Sequence, residues 1–202
     1  MMIPTSKCFF FLNLMIWMHL NLIPYSFAIR DGNPNQVMAA KACQGAPDVP
    51  LCLDLLNAQP EINDLKQAAF VALQAASVEA LQTSEFIKTT RDKEGGKEEA
   101  SPEGTLGDCS QDYGSMTEIM MEASNSLSSG LTEGSDVSVD IKAAIAKGET
   151  CGKSINEAKK SPKAEEVAKK NEHVIKLFSN ALSVYNVYAS ANGNGNDNSK
   201  PN

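Results

Sequence analysis

Cysteine is the reactive residue type whose spacing says most about this chain. Five of the 202 residues are cysteine, and four of them lie beyond the apolar N-terminus: Cys43, Cys52, Cys109 and Cys151. Thiols form disulfides, bind zinc or act as nucleophiles. The chain has no Cys-x-x-Cys motif, and its only histidine beyond the N-terminal stretch is His173. Zinc is therefore the weaker hypothesis, and disulfides are the favoured one.

The other reactive side chains do not form a recognisable reaction centre. No Gly-x-Ser-x-Gly motif accompanies His173 to supply a serine nucleophile. Glu165 and Glu166 are adjacent near a predicted helix start, where favourable interaction with the helix dipole explains them better than acid–base catalysis. Residues 31–35 resemble the beginning of a calcium loop but lack its glycine and final glutamate. The sequence therefore predicts no catalytic residue, no cofactor and no metal site.

The first 28 residues have the composition of a secretory signal. They contain one basic residue, no acidic residue, four of the seven phenylalanines and the only tryptophan. An apolar run over residues 9–23 precedes Ser26-Phe27-Ala28, whose first and third residues are small, as signal peptidase requires. The run is shorter than the about 20 residues of a membrane helix, although a retained anchor is the alternative. We expect cleavage after Ala28 and secretion.

The chain beyond this signal is acidic. Without Lys7, the one basic residue of the first 28, 17 basic and 25 acidic residues remain, together with six aromatic residues. An acidic chain with no basic patch is a poor binder of nucleic acid or of an anionic membrane. Its length fits one soluble domain with a real core.

Four cysteines in a secreted chain predict two disulfides and permit three pairings. The residues between Cys43 and Cys52 include two prolines and a glycine, a composition typical of a turn. The spacing therefore favours one bond between these two cysteines and a second between Cys109 and Cys151.

Apolar residues recur at steps of three and four along four segments, which indicates four amphipathic helices. The predicted stripes are Ile62, Leu65, Ala69, Leu73, Ala76 and Ala80; Leu106, Cys109, Tyr113, Met116, Met120, Ala123 and Leu127; Val137, Ile141, Ala144, Gly148, Cys151, Ile155 and Ala158; and Val167, Val174, Leu177, Ala181, Val184 and Tyr188. Both cysteines of the second predicted disulfide lie on such stripes, where their sulfurs can meet.

These observations predict an all-α fold, because no segment shows sustained period-two alternation. We expect an antiparallel four-helix bundle preceded by a short, disulfide-stapled N-terminal helical hairpin. The predicted segments are the signal at 1–28, the hairpin at 29–59, the bundle at 60–191 and a disordered Gly/Asn-rich tail at 192–202. A solvated loop is expected at 91–104, between the first two bundle helices.

Four short segments, read in order, form a recognisable series. They are Cys43-Gln44-Gly45-Ala46-Pro47-Asp48-Val49-Pro50-Leu51-Cys52-Leu53-Asp54-Leu55-Leu56; Asp108-Cys109-Ser110-Gln111-Asp112-Tyr113; Ala143-Ala144-Ile145 with Thr150-Cys151; and Ser179-Asn180-Ala181-Leu182-Ser183. Behind a signal peptide, this series resembles the plant invertase and pectin methylesterase inhibitor family over nearly all of the mature chain.

The resemblance implies the disulfides Cys43–Cys52 and Cys109–Cys151 and secretion to the plant cell wall, the apoplast. It also implies a protein inhibitor, not an enzyme, that caps the active-site cleft of a cell-wall carbohydrate enzyme. Invertase inhibitors of the family can carry Pro-Lys-Phe at the start of the third bundle helix, where residues 134–138 read Gly-Ser-Asp-Val-Ser. We therefore expect pectin methylesterase as the target, with acid invertase as the alternative.

The candidate contacts with that enzyme lie on the outward face of the second bundle helix: Gln111, Ser115, Glu118 and Glu122. An ordinary solvated face is the alternative interpretation of these residues. A competing function is a secreted carrier of a small apolar ligand, which requires a cavity between the helices near Gly148 and the alanines. A hydrolase built around His173 is a third hypothesis.

Overall fold

The computed structural model describes residues 33–59, 61–94, 102–129, 136–158 and 162–193. Within these ranges the chain forms six α-helices and no strand, which confirms the all-α prediction. The helices are α1 (Pro34–Ala42), α2 (Val49–Asn57), α3 (Leu65–Glu94), α4 (Pro102–Ser129), α5 (Val137–Ala158) and α6 (Pro162–Gly193). None of the helices in the described ranges is both long and apolar enough to span a membrane. The expected signal and residues 194–202 of the expected tail lie outside the described residues.

Each helix of the N-terminal hairpin begins with a side-chain cap. Asn33 precedes α1 and accepts a hydrogen bond from the backbone N–H of Asn35 (3.2 Å), and Pro34 is the first helical residue. Asp48 caps α2 by accepting from the N–H of Leu51 (3.1 Å). Such caps satisfy donors that a helix start leaves unpaired and contribute about 1 kcal/mol each. Asn33, part of the calcium-like segment, therefore has a structural role.

A disulfide between Cys43 and Cys52 closes the turn that joins α1 to α2, with their Cα atoms 5.8 Å apart. Gly45 lies in this turn at a φ of +83°, a conformation that only glycine adopts without steric cost. Both half-cystines and Ala46 are buried. The structure thus confirms the predicted disulfide-stapled hairpin.

Asn180 of α6 holds the same turn from the bundle side. Its Oδ1 accepts from the backbone N–H of Asp48 (3.0 Å), and its Nδ2 donates to the carbonyl oxygen of Asp48 (2.9 Å). The side chain is only 3% exposed, so both of its polar atoms are paired where water is excluded. This two-point contact ties the hairpin to the last helix.

The four long helices form the bundle, and each packs on two others. α3 contacts α4, α4 contacts α5, α5 contacts α6, and α6 returns to α3. Consecutive bundle helices are joined by residues 95–101, 130–136 and 159–161. A connection of seven residues spans roughly 25–29 Å at most, less than the about 42 Å length of the 28-residue α4. Successive helices are therefore antiparallel, as predicted.

The predicted apolar stripes face the core. Every residue of the α4 stripe from Leu106 to Leu127 is buried, as are the α5 positions from Val137 to Ile155. Tyr188, at the end of the α6 stripe, is only half-buried. The largest fully buried side chains include Tyr113, Phe178, Met116 and Met120. The buried Tyr113, Met116 and Met120 thus serve core packing.

A second disulfide joins α4 to α5. Cys109 and Cys151 are no more than 1% exposed, and their Cα atoms are 4.8 Å apart. Each cysteine lies on the buried stripe of its own helix, so the covalent bond lies within the buried α4–α5 contact. The two helices are consequently fixed against sliding past one another.

Two glycines let α5 lie close to α6. A Cβ at Gly148 would be 3.0 Å from Cγ1 of Ile175, and one at Gly152 would be 2.8 Å from Nδ2 of Asn171. Asn171 is 3% exposed, and its Oδ1 accepts a hydrogen bond from the hydroxyl of Tyr113 on α4 (2.9 Å). This buried polar pair joins α4 to α6 in an otherwise apolar core.

α3 begins later than the predicted apolar stripe, whose first residue, Ile62, precedes the helix. Asp64 caps the helix by accepting from the N–H of Gln67 (2.7 Å), and the Gln67 side chain accepts in turn from the N–H of Asn63 (2.9 Å). The reciprocal arrangement resembles a capping box. These capping hydrogen bonds place the first helical residue at Leu65. Capping is a local signal, and apolar periodicity alone does not reveal it.

The predicted loop at 91–104 is too long at both ends. α3 continues to Glu94, because Arg91, Lys93 and Glu94 are good helix formers despite their charge. α4 begins at Pro102, the residue type favoured at the first helical position. Only residues 95–101 separate the two helices, and these lie outside the described residues.

Candidate functional site

The groups that could have formed a catalytic centre are separated or already engaged. His173 is exposed on α6. Glu165 pairs with Lys169 (3.0 Å) on the open surface of the first turns of α6. All four described cysteines are in disulfides, so none offers a free thiol. In the part of the chain that the structure describes, no three His, Cys, Asp or Glu side chains come together as a metal site.

The space that a bound apolar ligand would need near Gly148 is filled. A Cβ added at this glycine would lie 3.0 Å from Cγ1 of Ile175 and 3.5 Å from Cε of Met116. The alanines Ala69, Ala76 and Ala80 are fully buried among other core side chains. The glycine and alanines therefore permit close helix packing, and the space beside Gly148 that the carrier hypothesis requires is occupied by Ile175 and Met116.

The outward face of α4 carries the four predicted contact residues. Gln111, Glu118 and Glu122 are exposed, whereas Ser115 is half-buried and its hydroxyl donates to the carbonyl oxygen of Gln111 (3.2 Å). Positions 111, 115, 118 and 122 recur at steps of four, three and four, so all lie on one side of the helix, opposite the buried stripe. The helix thus brings them together as one surface.

The charged residues on this face are all acidic, and we call it the acidic face. The sequence of α4 contains no lysine or arginine. Asp112, which lies next to this face on α4, pairs with a neighbouring helix, since Nζ of Lys147 on α5 is 3.4 Å from its Oδ1. Among the described residues, Glu118 and Glu122 have no ion-pair partner. Their charges are therefore available to a partner that presents basic groups.

An open apolar depression of about 400 Å³ adjoins the acidic face, between α3 and α4. Its lining residues are Phe70, Gln74, Ser77, Val78, Met121, Ser124 and Asn125. Val78 is 53% exposed and Met121 59%, and Leu81, one turn beyond Val78 on α3, is 49% exposed. Exposed apolar clusters bordered by polar residues are typical of protein-binding surfaces. We call Phe70, Val78, Leu81 and Met121 the α3–α4 apolar patch.

Sequence reasoning missed this patch. Val78 and Leu81 are apolar residues out of phase with the buried α3 stripe, which includes Ala76 and Ala80. Met121 likewise follows the buried Met120 and points away from the core. The sequence did carry one signal of such a patch: these apolar residues lie next to the buried stripe of their helix and not on it. Only the packing of α3 on α4 shows that these residues lie together.

Comparison with known proteins agrees with this architecture. A family model described as plant invertase/pectin methylesterase inhibitor matches residues 38–184. No curated protein sequence matches the chain at a significant level.

Two solved structures share the fold. One is mutant form A of a pectin methylesterase inhibitor from Arabidopsis, with 22% identity, a TM-score of 0.61 and coverage of 73% of this chain and 95% of that chain. The other is a pectin methylesterase inhibitor from Arabidopsis thaliana, with 22% identity, a TM-score of 0.53 and coverage of 74% and 94%.

Proposed function

Because the chain belongs to the plant invertase/pectin methylesterase inhibitor family, we propose that it inhibits a pectin methylesterase by covering the enzyme's substrate cleft. The family match carries this conclusion, since residues 38–184 include both disulfides, most of the hairpin and nearly all of the bundle. The chain is accordingly an inhibitor rather than an enzyme. Its partner is a protein, a carbohydrate-active enzyme.

The surface proposed to contact the enzyme is the acidic face of α4 together with the α3–α4 apolar patch. An effective inhibitor interface combines a desolvated apolar centre with polar groups around it. Val78 and Met121 supply exposed apolar area, and Glu118 and Glu122 lie beside it with uncompensated charge. The enzyme surface that fits would present an apolar side chain flanked by lysine or arginine.

The rigidity of the bundle supports inhibition by occlusion. The Cys109–Cys151 bond fixes α4, which carries the acidic face, against α5. α3 and α4 pack along their lengths, so the apolar patch is formed before any partner arrives. A surface that is ordered in advance loses little conformational entropy on binding.

Pectin methylesterase is favoured over acid invertase as the target, although the family description names both. The Pro-Lys-Phe segment that invertase inhibitors of the family can carry is absent from residues 134–138. Secretion to the cell wall, after removal of residues 1–28, is part of the same proposal. In it, residues 29–59 are the hairpin, 60–191 the inhibitory bundle and 192–202 a Gly/Asn-rich tail, of which Asn192 and Gly193 still belong to α6.

A direct inhibition assay tests the proposed function. The oxidised chain comprising residues 29–202 is titrated into pectin methylesterase and, separately, into acid invertase at mildly acid pH. We expect saturable loss of esterase activity at stoichiometric inhibitor and no loss of invertase activity. Inhibition of invertase alone would transfer the assignment to that enzyme, and inhibition of neither would refute it.

Matched valine variants test the proposed surface. Val78→Gln removes exposed apolar area from the α3–α4 apolar patch, whereas Val139→Gln makes the same change at a 56% exposed site on α5. We expect Val78→Gln to weaken inhibition about tenfold, in keeping with the loss of a hot-spot contact of more than 1 kcal/mol. Val139→Gln should leave inhibition unchanged. Equal effects of the two variants would place the contact elsewhere.

The acidic part of the surface calls for a charge test. We expect Glu118→Gln combined with Glu122→Gln to slow association with the esterase and to reduce its dependence on salt, because rim charges act mainly on association rate. Glu149→Gln alters an exposed glutamate on α5 and serves as the control. An unchanged salt dependence in the double variant would remove the acidic face from the interface.

A further inference from the structure

A second open depression, of about 450 Å³, lies at the end of the bundle next to the hairpin. It forms where the last turn of α1, the beginning of α3 and the end of α6 meet. Its polar lining includes Lys41, Asn63, Asp64, Lys66 and Asn192, and Tyr188 forms an aromatic wall. Its volume falls within the range of small-molecule sites. We call it the hairpin-end pocket.

Two lysines give the hairpin-end pocket its positive charge. Lys41 is exposed in the last turn of α1. Lys66 donates from Nζ to the carbonyl oxygen of Ser128 (3.2 Å), which positions the ammonium group and leaves two of its three donors for a ligand. The one lining acid, Asp64, already accepts from the N–H of Gln67 at the start of α3. Two lysines against one aspartate give the lining a net charge of +1, which favours an anion.

The remaining polar lining suits hydroxyl groups. Asn192 donates from Nδ2 to the carbonyl oxygen of Tyr188 (2.9 Å), which orients its amide and leaves Oδ1 as an acceptor. Asn63 contributes a second side-chain amide. The half-buried ring of Tyr188 is held at one edge by Tyr185, with ring centroids 6.0 Å apart. A flat aromatic wall with amides beside it matches a sugar ring, whose C–H face is apolar and whose edge carries hydroxyls.

We propose that the hairpin-end pocket binds a uronate residue of a polyuronate chain. The carboxylate lies against Lys41 and Lys66, one face of the sugar packs on Tyr188, and the asparagine amides bind its hydroxyls. The choice of a polyuronate rests on the proposed function, because a pectin methylesterase converts sugar methyl esters into free uronates. Binding would hold the inhibitor on polymer that the enzyme has already demethylated.

Calorimetric titration of the oxidised chain with trigalacturonate tests this proposal. Three probes separate the possible sources of binding: the trimethyl ester of trigalacturonate, neutral maltotriose and inorganic phosphate. We expect trigalacturonate to bind and each probe to bind at least about tenfold more weakly, as loss of charge-assisted hydrogen bonds or of sugar packing predicts. Equal binding of the ester or of maltotriose would overturn the role of the lysines, and equal binding of phosphate would overturn the sugar assignment.

Variants locate the site and keep the two proposals separate. We expect Lys41→Gln to weaken trigalacturonate binding about tenfold, and the exposed Lys142→Gln on α5 to leave it unchanged. Equal loss in both would indicate nonspecific attraction and refute the pocket. Lys41→Gln should inhibit the esterase like the unmodified chain. If the unmodified chain inhibits the esterase but does not bind trigalacturonate, only this inference is refuted. Failed inhibition with intact sugar binding refutes only the proposed function.

Discussion

Asn180 shows how one buried amide fixes the relation of two parts of the chain. Its side chain pairs with both backbone groups of Asp48 and is almost fully buried. The residue lies in a segment that carries the family resemblance, Ser179 to Ser183. Its position argues that this segment is recognisable for a structural reason, the docking of the hairpin, rather than for contact with an enzyme.

We expect Asn180→Ala to lower the free energy of unfolding by about 1–3 kcal/mol, because it leaves the N–H of Asp48 without a partner. It also removes one of the two donors to the Asp48 carbonyl, which still accepts from the N–H of Cys52. Chemical denaturation measures the change. Asn186→Ala, at an exposed site on the same helix, should alter stability by less than about 0.5 kcal/mol. Hydrogen exchange at the Asp48 amide should accelerate only in Asn180→Ala. Similar stability in both variants would mean that the contact does not hold the hairpin.

Tyr113 provides a pH-dependent contribution to stability. Burial in the core raises the pKa of its hydroxyl well above the ordinary value, and the negative charge of Glu79 raises it further. The folded state therefore keeps a proton that the unfolded state loses above about pH 10. The contribution is fully present below that pH and is lost as the pH rises above it.

We expect stability of the unmodified chain to fall above about pH 10 more steeply than that of Tyr113→Phe, which has no hydroxyl to ionise. Urea denaturation at pH 8 and pH 11 compares the two. At pH 8 the variant should be about 1–3 kcal/mol less stable, since Oδ1 of Asn171 loses its donor. Parallel pH profiles would show that Tyr113 does not titrate in this way.

At the scale of elements, α5 lies close to α6 at Gly148 and Gly152. Gly152 faces Asn171, whose amide is held by the hydroxyl of Tyr113, so the side chain cannot move aside without breaking that bond. Gly114 on α4 is also helical, but nothing lies within 4 Å of a Cβ placed there. The two glycines therefore separate the effect of packing from that of helix propensity.

We expect Gly114→Ala to raise the free energy of unfolding by about 0.5–1 kcal/mol, because alanine is the better helix former. Gly152→Ala should instead lower it by about 1–3 kcal/mol, the usual cost of overpacking a core. Thermal and urea denaturation of both variants provide the measurement. Stabilisation by Gly152→Ala would mean that Asn171 moves aside at little cost in free energy.

At the scale of the whole molecule, the two disulfides constrain loops of different length. Cys43 and Cys52 are nine positions apart, whereas Cys109 and Cys151 are 42 apart. Closing the longer loop removes more conformational entropy from the unfolded chain. The shorter bond belongs to the hairpin, and the longer bond supports the helix that carries the proposed contact face.

We expect replacing both Cys109 and Cys151 with alanine to cost about 4 kcal/mol and replacing Cys43 and Cys52 to cost about 2.5 kcal/mol, as the chain-entropy relation gives. Urea denaturation measures both. Below its unfolding temperature, the chain without the hairpin bond should still inhibit the esterase, because α3 and α4 keep their contact. Loss of inhibition in that folded variant would move the contact surface onto the hairpin.

The sequence alone determined the class of fold, the four apolar stripes and the favoured cysteine pairing. These properties are local: a stripe such as Leu106 to Leu127 depends on spacing within one helix, and a cysteine on a stripe must face the core. Family membership also followed from short ordered segments. Helix ends were less predictable, as Asp64 and Pro102 show, because capping competes with periodicity over a few residues.

Tertiary structure alone decided which residues from different helices form surfaces. Val78 and Met121 lie 43 positions apart, and Lys41 is even farther from Tyr188, yet each pair lines one depression. The burial of Asn171 and Asn180 was equally invisible, because a polar residue on a helix is read as exposed until its partner is known. Such juxtapositions arise from how helices pack against one another, and helical periodicity does not encode that packing.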